Sequence, residues 1–227
     1  MRSVDDLTAT ARIREAAIEQ FGEHGFDVGL RTIAKAAGVS AALVIHHFGS
    51  KDGLRSACDS YIAEFVKVAK SETLQSSDPA TWFAQMAEIE SYAPMMAYLV
   101  RSMQTGGELA KSLWLTMIAN AEEYLEEGVR AGTIKPSQDP KSRAKFLAMS
   151  GGGGFMLYLQ LHENPRDLRA VLRDYAQDMV LPALEIYSEG LMSDSTMYEA
   201  FAAQQANGTP IPTSNNRASN NRASKED

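Results

Sequence analysis

Apolar residues recur along most of this chain at the three-and-four spacing of an α-helix, and no run alternates with a period of two between hairpin turns. Leu7, Ala11, Ile13, Ala17, Ile18 and Phe21 lie near that period, and Gly25 supplies a stop signal. A short helix is expected over about 30–37, ended by Gly38. Ser40 caps a second short one, AALVIHHF, which Gly49 ends. Ser50 caps a longer helix from Lys51 to about Gln75, with Asp52 in its first turn, where a negative charge suits the helix dipole. Ser76-Ser77-Asp78-Pro79 reads as a turn and a fresh start, with proline at the first helical position. Trp82, Met86 and Ile89 follow at i, i+4 and i+7, and Pro94 separates that helix from one over 95–103. Gly106-Gly107 opens a helix reaching Gly128 or Gly132, with Leu113, Met117, Asn120 and Tyr124 on its face. Two long helices follow, about 140–162 and 165–189, divided by Asn164-Pro165, with Pro182 kinking or restarting the second. A last helix covers about 194–205. The tail SNNRASNNRASKED repeats NNRAS in tandem, has no large apolar residue and is expected to be disordered.

The fold class is therefore all-α. At about 150 residues per domain, 227 residues make one domain or two unequal ones, and a 44% hydrophobic content excludes wholesale disorder. A single cysteine, Cys58, excludes a disulfide scaffold and a ribbon-type zinc site, and suits a reducing cytoplasm. The N-terminus lacks the apolar segment of a secretory signal. The charge-free and largely apolar stretch 146–161 holds four glycines and falls short of the roughly 20 apolar residues of a membrane span. A soluble, cytoplasmic protein without a membrane partner is expected.

Charge is distributed unevenly. Residues 1–55 carry seven Lys/Arg and seven Asp/Glu, so the net −7 of the chain lies entirely in the remainder. A neutral head on an acidic body permits a DNA contact made by the head alone.

The head holds the most informative segment, GLRTIAKAAGVSAALVIHHFGSKDGL, over 29–54. Two short amphipathic helices joined by Ala37-Gly38-Val39-Ser40 have the form of a helix-turn-helix: glycine at the sharp turn, Val39 buried between the helices, Ser40 starting the second. Ile33, Ala34 and Ala37 face inward from the first helix, and Val44, His47 and Phe48 from the second. Ala41, Ala42, Ile45 and His46 are left to face a major groove. Adjacent helical histidines do not share a face, so His46-His47 is not a metal pair, and no metal or cofactor is called for. The run Gly151–Gly154 lacks the Lys-Ser/Thr and the preceding strand of a phosphate loop. It either lets two helices approach closely or breaks a helix.

Around the turn the chain resembles the TetR family of bacterial one-component transcriptional regulators. The resemblance rests on Ile33-Ala34-x-x-Ala37-Gly38-Val39-Ser40, His46-His47-Phe48 and Ser50-Lys51-Asp52-x-Leu54. Upstream, Phe21-x-x-His24-Gly25-Phe26 matches the end of the family's first helix. It covers about residues 7–55, and the whole chain is similar to actinobacterial, mycobacterial-type members that sit beside ABC-type multidrug-efflux genes. Two departures stand out. Gly29 replaces a frequent threonine, and Ala41, Leu43 and Ile45 replace Lys, Thr and Tyr, making an unusually apolar recognition helix. Thymine-methyl contacts and shape readout then carry more of the specificity. Arg31, Thr32, Ser40 and Lys51, with Lys35 and His46, remain for phosphates or base edges.

The resemblance implies a three-helix DNA-binding domain over 1–50 and a larger helical ligand-binding and dimerisation domain over 51–206, followed by the tail at 207–227. It implies a repressor, not an enzyme, that binds a palindromic operator in double-stranded DNA as a homodimer. A hydrophobic small molecule, neutral or cationic, would release it. Trp82, Met86, Met96, Trp114, Met117 and Phe155 are candidate pocket lining, with Glu90 or Glu108 to meet a cation. Phe146, Gly152, Gly153, Leu168, Leu172, Tyr175 and Met179 are candidate dimer contacts. The rival is an all-helical enzyme or lipid-binding protein carrying a similar hairpin. No nucleophile–base pair, paired carboxylates or metal-ligand spacing favours it.

Overall fold

The computed structural model describes residues 4–207, so the NNRAS-repeat tail lies outside the described residues. The described residues are helical, in the order α1 (Val4–His24), α2 (Leu30–Ala36), α3 (Ala41–Phe48), α4 (Lys51–Gln75), α5 (Pro79–Ala87), a 3-10 turn (Ile89–Tyr92), α6 (Ala93–Thr105), α7 (Gly107–Ala131), α8 (Pro140–Leu161), α9 (Leu168–Ser188) and α10 (Thr196–Ala206). None of these helices is long and apolar enough to cross a membrane.

The described residues form two compact units, divided between Asp178 and Met179. In the first, one core runs without a break from the N-terminal helices into the rest. It joins Ile13, Ala17 and Phe21 of α1, Ile33 of α2, Val44 of α3, Leu54, Cys58 and Ile62 of α4, and Tyr98 of α6, all fully buried. Each large apolar side chain among them contributes roughly 1.5–3 kcal/mol by leaving water. The three N-terminal helices thus share their core with α4 and α6 across residue 50.

Helices α4 and α7 run side by side in the same direction. Asn120 Nδ2 donates to the Ala63 carbonyl at 3.0 Å, Lys67 pairs with Glu123, and Ser71 donates to Glu127. Left-handed Gly132 ends α7, and α8 returns antiparallel, tied by Arg143 to Glu126 at 3.1 Å. A second cluster joins Ala93 and Val100 of α6, Phe155 and Leu159 of α8, and Val171 and Leu172 of α9. In the unit from Met179 on, Leu181, Leu184, Ile186 and Tyr187 of α9 and Met197, Tyr198 and Phe201 of α10 are exposed.

Three boundaries differ from expectation. The helix from Pro79 stops at Ala87, and the 3-10 turn fills the gap to α6. Pro94 does not separate helices but sits in the first turn of α6, where its missing N–H costs nothing. Helix α9 starts at Leu168, not Pro165, because the Asp167 carboxylate accepts from the Ala170 N–H at 3.2 Å and so caps it. Pro182 lies inside α9 without ending it.

Candidate nucleic-acid interface and ligand region

Local capping fixes the helix-turn-helix. Gly38 adopts φ +65°, and the Val39 N–H donates to the Ala34 carbonyl at 2.9 Å, folding the turn back on α2. Ser40 accepts from the Leu43 N–H at 3.1 Å at the start of α3. Gly49, at φ +74°, separates α3 from Ser50, which accepts from the Gly53 N–H at 3.0 Å and starts α4. Arg31, Thr32 and Lys35 are exposed on and around this motif, as are Ser40, Ala42, Ile45 and His46, while Lys51 is half-buried. Ala41, expected in the groove-facing set, is half-buried and packs on the core that holds Val44, so it lies at the edge of the exposed face and not within it. His47 is half-buried, with Nδ1 3.5 Å from Thr10 Oγ1.

Behind the motif lies a polar network without a local signature in the sequence. The Tyr98 hydroxyl of α6 donates to the Asp59 carboxylate of α4 at 2.5 Å and lies 3.3 Å from the Arg55 carbonyl. Arg101 of α6 donates to the Gly22 and Glu23 carbonyls at the end of α1, both at 3.2 Å. The Arg14 and Arg55 guanidinium groups cover the Tyr61 and Phe26 rings at 3.9 and 3.7 Å. Helix α6 is therefore tied to both α4 and α1.

Burial raises the Asp59 carboxyl above the ordinary carboxylate range, against the lowering effects of the Tyr98 hydrogen bond and the Arg55 charge. A raised value means that the folded chain holds this proton more tightly than the unfolded chain does. Its contribution to stability is thus largest at acid pH and falls as pH rises through the window just above the usual carboxylate value. Asp59→Asn keeps an acceptor for Tyr98 and removes the charge. We expect a variant at least as stable as wild type at neutral pH, by on the order of 1 kcal/mol, with a flatter pH dependence in that window. Urea unfolding at several pH values checks this, and a clear loss at neutral pH would mean that the ionised carboxylate is required.

The expected pocket residues separate into two groups. Met96, Trp114 and Met117 are half-buried against the first core cluster, and Met96 also meets the second, which contains the buried Phe155. Trp82 and Met86 are half-buried on α5, which packs on α4 and the 3-10 turn, outside both clusters. Sequence reasoning missed Met103 and Ser102. A Cβ at Gly152 would lie 2.8 Å from Met103 Cε and 3.7 Å from the Trp114 ring, so α6, α7 and α8 meet at this glycine. The Trp114 indole N–H and the Ser102 hydroxyl are buried without a hydrogen-bond partner among the described residues. An unpaired buried donor costs about 1–3 kcal/mol. The carboxylates expected to meet a cation stand elsewhere. Glu90 lies 3.8 Å from Arg173, and Glu108, 3.9 Å from Lys111, belongs to an open groove on the outer side of α7.

The expected dimer residues also sort by exposure. Phe146 at 67% and Met179 at 40% are exposed, as is Gly153. Leu172 is buried within the protomer, and Leu168 and Tyr175 pack on the same cluster, Tyr175 edge-on to Phe155 and Tyr158. Gly152 faces Met103 of its own chain. Leu172 and Gly152 are thus internal, because the inner face of α9 and of α8 at these positions is already taken by the second cluster and α6. A stripe that does face outward on α8 comprises Phe146, Met149, Gly153, Leu157 and Leu161.

Two family models match this chain: that of bacterial regulatory proteins of the tetR family over residues 13–58, and that of the tetracyclin repressor-like C-terminal domain over residues 90–193. The HTH-type transcriptional regulatory protein RaaS of Mycobacterium tuberculosis is 74% identical over 208 residues, taking in 92% of this chain and 98% of that protein. Among solved structures, FadR from Bacillus subtilis in complex with stearoyl-CoA has a TM-score of 0.55 at 17% identity, covering 80% of this chain and 99% of that one. GusR of Salmonella enterica has a TM-score of 0.51 at 23% identity, covering 74% and 93%.

Proposed function

This chain belongs to the TetR family of bacterial DNA-binding transcriptional regulators, and from that premise we propose that it is a ligand-released repressor of a transporter or drug-efflux gene. Residues 1–50 hold a palindromic operator, and residues 51–206 dimerise and receive a hydrophobic small molecule. Arg31, Thr32, Ser40 and Lys51 contact phosphates, while Ala42, Ile45 and His46 face the bases. One eight-residue recognition helix reads too few base pairs for a specific site, so a second copy is needed, one helical turn away. The exposed α8 stripe supports such a pairing. The ligand region is the meeting of α6, α7 and α8 at Met96, Met103, Trp114 and Phe155, where a hydrogen-bond acceptor on the ligand would satisfy the Trp114 N–H.

The observation that carries this reading is the tie from α6 to α4 and α1 through Tyr98, Asp59 and Arg101. A ligand that prefers a shifted α6 pulls on the two helices that position the DNA-binding motif. It then weakens operator binding by its differential affinity for the two states. A hundredfold weakening needs about 2.7 kcal/mol of such preference.

The test is a gel shift on the DNA upstream of the gene for this chain, with tryptophan fluorescence followed in parallel. We expect a retarded band, released by hydrophobic compounds that also quench the tryptophans. The panel holds neutral and cationic drug-like compounds, and stearoyl-CoA because FadR holds it. A band that no quenching compound releases would argue for a regulator with a filled core and no inducer.

A further inference from the structure

The groove-facing surface of α3 is almost devoid of hydrogen-bonding groups. Ala42, Ile45 and His46 stand at i, i+3 and i+4 on its exposed side, Ile45 with 44% of its surface free. Val44 is buried, Ala41 and Leu43 are half-buried, and the Ser40 hydroxyl already accepts from the Leu43 N–H. The nearby cations, Arg31 and Lys35 on α2 and Lys51 at the start of α4, lie off this face. The two-bond pairs that distinguish guanine or adenine in the major groove need an Arg, Lys, Asn or Gln at the base edges. This face has none. A branched hydrocarbon and a methyl group do have one partner there, the 5-methyl of thymine, which is the apolar group that the major groove displays.

We propose that this protein reads its operator chiefly through thymine methyls, with Ile45 and Ala42 each covering one in every half-site. The proposal rests on the operator-binding reading above and deepens it. Side chains three apart on a helix have Cβ atoms about 5–6 Å apart. Successive bases of a strand are about 3.4 Å apart along the axis. The two thymines are therefore one or two steps apart. His46 adds a single donor to a purine N7, which selects purine over pyrimidine without separating guanine from adenine.

Selection of duplexes from a randomised library on the full chain, followed by resynthesis of the selected duplexes with deoxyuridine for thymidine, tests this. Deoxyuridine keeps every hydrogen-bonding group of thymidine and lacks the methyl. Each lost methyl contact is expected to weaken binding about fourfold, so replacement of all four weakens it by roughly two hundredfold or more if the losses add. Single replacements locate the thymines, at matched positions in the two half-sites. Ile45→Ala, at an exposed position outside the core, should keep its helical circular dichroism and narrow the thymidine–deoxyuridine difference. Equal binding of the two duplex types, or an Ile45→Ala loss that is the same for both, overturns the proposal. Failure of the library to yield any enriched duplex overturns the operator-binding reading itself, and the methyl reading with it.

Discussion

Leu157→Asp is expected to leave a folded, helical monomer that no longer shifts operator DNA. Leu157 is 59% exposed on the outer stripe of α8, between Met149 at 60% and Leu161 at 76%, so an aspartate there costs the single chain little. In a two-fold dimer built on this stripe, each copy meets the same patch on the other, and the change places two carboxylates in apolar surroundings. Burying an unpaired carboxylate costs several kcal/mol, so association should weaken by roughly a thousandfold or more. With one recognition helix left, specific binding goes too. Sedimentation of the purified variant, read with its circular dichroism, gives the answer. A dimer of wild-type strength would shift the interface away from α8, to the exposed apolar residues that begin at Met179 in α9.

Gly22→Leu should destabilise the chain by about 3 kcal/mol or more, for a reason that a milder pair of variants can isolate. A Cβ at Gly22 would lie 2.8 Å from the Ala97 Cβ and 3.1 Å from the Tyr98 backbone nitrogen. Neither atom can swing aside, so α1 and α6 must part, straining the Arg101 bonds to the Gly22 and Glu23 carbonyls. Even Gly22→Ala should cost about 1–3 kcal/mol, a fall in Tm of several degrees for a chain of this size. Ala97→Gly in that background removes the closest contact and should return part of the loss, since the Tyr98 nitrogen stays at 3.1 Å and a glycine within α6 itself costs about 1 kcal/mol. A double-mutant cycle by thermal unfolding measures the coupling. Additive effects would show that the helices yield at this crossing without a shared clash.

The DNA-binding motif was legible because its determinants are local. Gly38, Ser40, Gly49 and Ser50 act within three or four residues of themselves, and each sits at the turn or cap that its type suggests. Spacing alone was less informative where rotation about a helix decides. Gly152 and Gly153 are neighbours in the sequence, yet one faces Met103 and the other faces outward. Likewise Leu172 satisfies an apolar period whether its face meets its own chain or another, and here it is internal. The period through Trp82, Met86 and Ile89 ran on past the point where α5 stops, since nothing local at Glu88 opposes a helix. The Tyr98–Asp59 bond joins residues 39 apart, and Arg101 reaches back 78 and 79 residues to α1. Such pairs exist only once α6 has docked, so no segment of the chain announces them.

Cys58 takes no part in any of the roles proposed above, and that has a practical use. Its side chain is fully buried in the core, with Sγ 3.8 Å from the Arg14 carbonyl oxygen, and burial foremost pushes its thiol up to about 12. At neutral pH almost none of it is thiolate, the form that attacks maleimides or reacts with peroxide. A cysteine introduced at an exposed site away from the α8 stripe, for example in place of Ser60 on α4, would therefore accept a fluorophore or spin label selectively with the native thiol left in place. Distances between two such labels could then be followed as DNA and ligand compete, in a chain otherwise unaltered.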